Sequence, residues 1–195
     1  MSELSTLALA HAGDAAEIAE MSRVLIEQGL SWSWTPDRVR HFISGADSSV
    51  VVARRAAVGD ACDDCPRSDT PHSDTGRPAA PGTPPAYITT PRIATPSIAA
   101  FAIMHFGDEV AHLNLLAVAP RYRRQGLGRQ LMEWLTQTAV EAGIFRINLE
   151  LRTHNDQARA FYESLGFVPR GVVQGYYQGR EAALRMSRRL AKDPP

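Results

Sequence analysis

The chain has 195 residues, of which 44% are hydrophobic and 22% charged, the composition of an ordinary globular protein long enough to bury a core. Lys+Arg and Asp+Glu balance at 21 each, so no global field draws it to nucleic acid or to an anionic membrane, and direct binding to either is not expected. The sequence opens without a basic stretch leading into an apolar run, and no apolar run reaches membrane-spanning length, so the expected location is cytoplasmic.

Along the chain, Leu7, Leu9 and His11 alternate with small residues as in a strand. Asp14 stands where a helix N-cap would, ahead of Ile18, Met21, Leu25 and Ile26 at helical spacing. Thr35-Pro36 opens a second helix carrying Val39, Phe42 and Ile43, and Val50-Val51-Val52 is a short β-branched strand. Composition then shifts: eight of the 13 prolines fall between Gly59 and Pro96, among repeated Asp, Ser, Thr and Gly. Such a stretch buries too little apolar surface to offset its ordering entropy, and it is read as a disordered insertion within one domain spanning residues 1–195. Its Cys62-x-x-Cys65 pair, with His72 nearby, falls short of the four ligands of a closed zinc site; the cysteines are read as free thiols, and no metal is expected.

After the insertion the periodicities return. Ile98 to Phe106 and His112 to Val118 read as an antiparallel pair turning at Gly107-Asp108-Glu109. Leu127, Leu131, Trp134, Leu135 and Thr138 mark a helix face, and Gly143 ends that helix. Phe145, Ile147, Leu149 and Leu151 alternate with polar residues as in a half-buried strand. A helix follows from about Asn155 to Leu165, then strands at about Phe167 to Gln174 and Glu181 to Arg188. The fold class is therefore α/β or α+β, with a mixed central sheet of about six to seven strands flanked by about four helices.

The stretch most specific for chemistry runs from Leu116-Ala117-Val118 through Pro120 to Arg123-Arg124-Gln125-Gly126-Leu127-Gly128-Arg129. A strand leads through a glycine-containing loop directly into a helix, which aims unpaired N–H groups and the positive helix end at one point, an anion site. Gly126 and Gly128 let a ligand approach the backbone, and Arg124 and Arg129 can add charge-assisted contacts. The spacing is neither a P-loop nor a dinucleotide G-x-G-x-x-G. It matches the R-x-x-G-x-G acyl-CoA motif, and Asn155, Ala158, Tyr162 and Gly166-Phe167 match a second motif, N-x-x-A-x-x-x-Y-x-x-x-G-F.

With these two motifs in order, the sequence resembles the GNAT superfamily of N-acetyltransferases. The resemblance covers Ile98 to about Arg188, more loosely the first 55 residues, and implies a GNAT fold with acetyl-CoA as co-substrate. It implies that the Arg123–Arg129 loop holds the CoA pyrophosphate and that Leu116, Ala117 and Val118 pair with the pantetheine amides. It further implies that the Val118 N–H polarises the thioester carbonyl. Asn155 is expected to cap its helix and to contact the pantetheine arm.

Acetyl-CoA is already activated, so the chemistry needs positioning, an unprotonated amine and a proton for the departing thiolate. Glu150, on the polar phase of its strand, is the candidate general base, weighed against a surface carboxylate paired with Arg146 or Arg152. Tyr162 is the candidate acid, weighed against an aromatic that only packs. His105, His112 and His154 are assigned ordinary surface or strand roles. The stretches 149–152, 161–167 and 175–181 are similar to RimI-type ribosomal-protein alanine N-acetyltransferases. That resemblance implies catalytic roles for Glu150 and Tyr162, a protein N-terminal amine as acceptor, and a Tyr176-Tyr177 loop near the peptide. A small-molecule amine acceptor, with Trp32 and Trp34 walling the pocket, is the alternative; a non-catalytic acyl-CoA sensor is the third reading.

Overall fold

The computed structural model describes residues 6–54 and 98–190. In chain order its elements are β1 (Thr6–Leu9), α1 (Ala15–Leu25), α2 (Pro36–Ser44), β2 (Ser48–Arg54), β3 (Ile98–Phe106) and β4 (Val110–Val118), followed by α3 (Leu127–Glu141), β5 (Arg146–Arg152), α4 (Asp156–Glu163), β6 (Val168–Tyr177) and β7 (Glu181–Arg189). The seven strands form one sheet in the order β1-β2-β3-β4-β5-β7-β6, with β4 and β5 parallel and every other neighbouring pair antiparallel. The mixed sheet with four helices is the architecture that the sequence pattern predicts. β2 and β3 pair directly, so residues 55–97 join two adjacent strands. The predicted insertion, with Cys62, Cys65 and His72, lies outside the described residues.

Two apolar clusters occupy the two faces of the sheet. On one, Leu127, Leu131 and Leu135 of α3 and Tyr162 of α4 pack against Met104, Leu113, Ile147 and Leu149. On the other, Ile18 of α1 and Val39 of α2 pack with Trp34 against Val50, Val52, Phe101, Ile103 and Leu115. The alternation of buried and half-buried residues along β4 and β5 follows from this division, since each strand sends alternate side chains to opposite faces.

Helix starts follow local chemistry in two places. The Thr35 hydroxyl caps α2 by accepting the Arg38 N–H at 3.4 Å, with Pro36 at the first helical position. Asn155 caps α4, its side-chain oxygen accepting the Ala158 N–H at 3.0 Å. Asp14 departs from its expected role: it makes no side-chain cap on α1. It is buried, accepts the His11 N–H at 2.8 Å and pairs with Arg54 at 2.5 Å, tying the start of α1 to β2. A full ion pair outcompetes a single capping bond there.

Burial alone would raise the Asp14 pKa; the bonds to Arg54 and His11 outweigh it and hold the carboxyl below its ordinary value. A depressed carboxyl contributes stability above its unfolded pKa of about 3.9, and loses that contribution as pH falls through the folded value. Asp14→Asn leaves Arg54 half-buried without its countercharge. We expect it to lower unfolding free energy at pH 7 by about 2–4 kcal/mol in urea titrations. The gap from wild type should close on acidification below pH about 4; a gap that persists there assigns the loss to packing instead.

Candidate active site

The centre of the site is set by a disagreement between two strands. β4 and β5 pair only from Val110↔Arg146 to Leu113↔Leu149, although both run on, to Val118 and Arg152. The pairing with β3 shows why: its register slips between Ile103↔Leu115 and Met104↔Leu113, leaving Asn114 as an extra residue in β4. Such a bulge bends the strand and raises its local twist, so β4 departs from β5 beyond it. The result is a V-shaped opening in mid-sheet, with polar edges on both arms.

The direction of the amides along the β4 arm can be derived. Ala119 N–H donates to the Ala99 carbonyl at 2.9 Å, and antiparallel pairing alternates the edge to which successive residues turn. The Leu116 and Val118 amides therefore face the opening, while Ala117 turns its amide to β3 and its side chain to the core below α1. Of the three residues expected to pair with pantetheine, Leu116 and Val118 turn their amides to the opening and Ala117 does not.

At the top of that arm the chain turns through Pro120–Tyr122 and enters α3. Arg124 has φ 63° and Gly126 φ 83°, two left-handed residues that fold the loop back across the helix start. Gln130 N–H donates to the Gly126 carbonyl at 3.0 Å, so the amides of Gly126 to Arg129 have no intrahelical acceptor and converge outside the helix. The loop side chains divide their work. Arg123 Nε donates to the Val118 carbonyl at 3.2 Å and Gln125 Nε2 to the Arg121 carbonyl at 3.2 Å, so both brace the loop. Arg129 reaches Ser164 Oγ at 3.4 Å, and Leu127 is buried in the core, offering only its N–H. At Gly128 a Cβ would stand 3.2 Å from the Phe161 ring, so that ring of α4 packs directly on the bare backbone of α3. Gly128→Val would force these helices apart beneath the loop. We expect CoA affinity to fall at least about tenfold by calorimetry, with the far-UV circular dichroism kept; unchanged affinity would show that the loop does not depend on this contact.

On the β5 arm Glu150 is nearly enclosed and holds three donors. His112 Nε2 lies 2.9 Å from Oε2, the Tyr176 hydroxyl donates to Oε2 at 3.3 Å, and Arg185 Nε donates to Oε1 at 3.2 Å. The Arg146 or Arg152 pairing weighed from the sequence does not form. Arg152 bonds Glu181 at 3.3 Å and the Gln28 carbonyl at 2.6 Å instead. Burial pushes the Glu150 carboxyl up, but His112, the Arg185 charge and Tyr176 together bring it below its ordinary value. Tyr176 shifts the other way, raised by burial and by the neighbouring carboxylate. Burial also lifts Tyr177 to about 12.

Tyr162 is buried on α4, edge-on to Phe161 at 5.1 Å and Phe167 at 5.6 Å. Burial, with Tyr177 adding to it, pushes its phenol far above the ordinary range, so it keeps its proton at any physiological pH.

Two features went unread in the sequence. His112 was assigned an ordinary role, yet its register position opposite Asn148 puts it on the Glu150 face of the sheet. The signal was present: both residues sit on the polar phase of strands that pair in parallel. Glu27 is the second. This buried carboxylate accepts the Ser33 N–H at 2.8 Å, the Ser33 hydroxyl at 2.5 Å and the Trp34 N–H at 3.2 Å, which shapes the α1–α2 loop. That loop meets the β6–β7 hairpin, where Gln178 Nε2 donates to the Ser31 carbonyl at 3.1 Å and the Ser31 hydroxyl to Gln178 Oε1 at 3.2 Å. Trp34 belongs to the core and stacks with Arg38 at 4.4 Å, whereas Trp32 is exposed.

The model of the Acetyltransferase (GNAT) family matches residues 63–167, more than half of the chain. The chain belongs to that family. The [ribosomal protein bS18]-alanine N-acetyltransferase of Escherichia coli (strain K12) is 43% identical over 93 residues, 46% of this chain and 63% of that protein. The N-terminal acetyltransferase B complex catalytic subunit NAA20 of Arabidopsis thaliana is 34% identical over 84 residues, 42% of this chain and 48% of that protein. The chain thus spans 63% and 48% of the lengths of these two relatives. Among solved structures, Ard1 from Thermoplasma volcanium superposes with TM-score 0.69 at 20% identity, over 96% of this chain and 98% of that one. The ribosomal-protein-S18-alanine N-acetyltransferase from Escherichia coli does so with TM-score 0.65 at 24% identity, over 98% and 99%. These likenesses establish the GNAT fold.

Proposed function

We propose that the protein transfers the acetyl group of acetyl-CoA to the α-amine of a protein N-terminus. The observation that carries this reading is the coincidence, at one strand opening, of three things. The free amides of Leu116 and Val118 line it, the convergent amides of the Gly126–Arg129 helix start lie above it, and the Glu150–His112 pair stands on its other arm. The matched relatives, a ribosomal-protein alanine acetyltransferase and an N-terminal acetyltransferase subunit, support a protein acceptor. Acetyl-CoA as co-substrate and a cytoplasmic site of action belong to the same reading.

In this mechanism the loop amides and Arg124 and Arg129 bind pyrophosphate, and Asn155 lies beside the pantetheine arm. The Val118 N–H donates to the thioester oxygen and stabilises the charge that builds there. The amine nitrogen attacks the carbonyl carbon, forming the C–N bond as the C–S bond breaks. Its proton leaves toward the Glu150–His112 pair, directly or through one water. A carboxylate held below its ordinary pKa by three donors is a weak base for an amine of pKa about 8. Glu150 serves the pair by attracting the ammonium form and by holding His112. Tyr162 supplies the proton, or a strong hydrogen bond, to the departing sulfur.

The test is release of free CoA from acetyl-CoA with three acceptor sets: peptides with free N-termini, the same peptides N-blocked, and small amines. Turnover of free but not blocked peptides is expected. Turnover of small amines alone would replace the acceptor assignment, and tight CoA binding without any turnover would replace the enzyme.

A further inference from the structure

The two faces of the sheet are covered unequally. The buried cluster below α1 and α2 draws on β2, β3 and β4 and on no residue of β5, β6 or β7. That half of the face, next to Glu150, is left as a polar cavity of about 450 Å³, lined by Arg146, Asn148, Glu150, Arg170, Arg185 and Ser187 with the neighbouring backbone. Three of these are guanidinium groups and one is a carboxylate. Arg185 is committed to Glu150, which also accepts from His112 and Tyr176. Arg170 bonds the buried Ser187 hydroxyl through Nε at 2.6 Å, which fixes its orientation and leaves its terminal N–H groups for another partner. Among the described residues neither Arg146 nor Arg170 meets a carboxylate. Arg189 stands directly opposite Arg146 in the β5–β7 register and adds to the same sign of charge.

The cavity adjoins the candidate reaction centre at Glu150. The Ser31–Gln178 and Arg152–Gln28 bonds tie the α1–α2 loop to β5 and the β6–β7 hairpin beyond Glu150, and the Tyr176 hydroxyl reaches back to that carboxylate. The polar cavity runs from Glu150 toward the opposite end of β5. Distances along it follow from strand geometry. Ser187, which holds Arg170, pairs with Asn148, two residues from Glu150, and Arg146 is four residues away. At about 3.3 Å per residue these are roughly 7 Å and 13 Å from the carboxylate. An extended peptide advances at nearly the same rate, so an N-terminus at Glu150 brings its third residue to Arg170 and its fifth to Arg146.

We propose that the acceptor is a peptide with Asp or Glu among its third to fifth residues, whose carboxylates are bound by Arg170 and Arg146. This deepens the protein N-terminus assignment above and rests on it. Guanidinium groups suit the role because their fixed forks pair with carboxylates in two-point contacts.

The test uses the full chain, acetyl-CoA and five-residue peptides with one N-terminal residue and acidic, neutral or basic residues at positions 3 to 5. CoA release gives KM and kcat for each. The acidic series should show a KM about tenfold or more below that of the basic series, and the difference should shrink as salt rises from 50 to 500 mM. Arg146→Glu with Arg170→Glu should reverse the order of the two series. The milder Arg146→Gln with Arg170→Gln, checked for an unchanged melting midpoint, should erase it. Equal KM across the series, or an order unmoved by both double variants, would overturn the proposal while leaving N-terminal acetylation standing. Turnover of small amines and of no peptide would overturn both.

Discussion

Tyr162→Phe is expected to lower kcat on the order of 100-fold while the KM for acetyl-CoA moves by no more than about threefold, the range for loss of one proton donor at the reacting atoms. The substitution removes a single oxygen and keeps the ring. The edge-on contacts to Phe161 and Phe167 remain, so the melting midpoint should stay within a few degrees. The separation of kcat from KM carries the argument. A phenol that only packs would change neither, while one that mainly held the pantetheine arm would raise KM. The pH dependence is a second readout. Burial pushes the Tyr162 phenol far above the ordinary range, so no loss of wild-type activity between pH 7 and 10 can be charged to its ionisation. A steep alkaline fall of the wild type in this range that persists in Tyr162→Phe therefore belongs to another group.

The sequence carried the fold because the local signals agreed with one another. Apolar alternation at 145–152, the helix face from Leu127 to Thr138 and the Thr35-Pro36 helix start each pointed to the element that forms. The glycine loop ahead of α3 is legible for the same reason: strand, glycines and helix are contiguous, so its geometry is local. What stayed hidden depends on register between distant segments. The Asn114 bulge opens the sheet, yet nothing in Leu113-Asn114-Leu115 announces it, because the slip exists only relative to β3. His112 and Glu150 are 38 positions apart and meet because β4 and β5 pair in parallel with His112 opposite Asn148. Asp14 looked like a cap because capping is a local rule, and its partner Arg54 comes from the far side of two helices. Glu27 follows α1, and its burial depends on both sides of the loop: Ser22 of that helix and Ser33 and Trp34 beyond it turn four donors onto the carboxylate.

Glu150→Gln should be the more damaging change for the acceptor half of the reaction. The amide keeps the shape and can still accept from His112 and Tyr176, but it removes the charge that draws an ammonium. We expect kcat/KM for peptide to fall about 100-fold or more at every pH from 6 to 9, with the Kd of CoA unchanged. The sign of the pH effect follows from the carboxyl being held below its ordinary value. The charged form persists beneath pH about 4.3, so wild-type activity should show no carboxylate limb in the neutral range. His112→Gln should lower kcat/KM for peptide while leaving CoA binding intact. Glu150→Asp separates charge from reach: the charge remains, but one methylene is lost and the 2.9 Å contact to His112 lengthens. Partial recovery over the Gln variant would assign the effect to electrostatics. A Glu150→Gln enzyme with near-normal kcat/KM across this range would remove Glu150 from the mechanism.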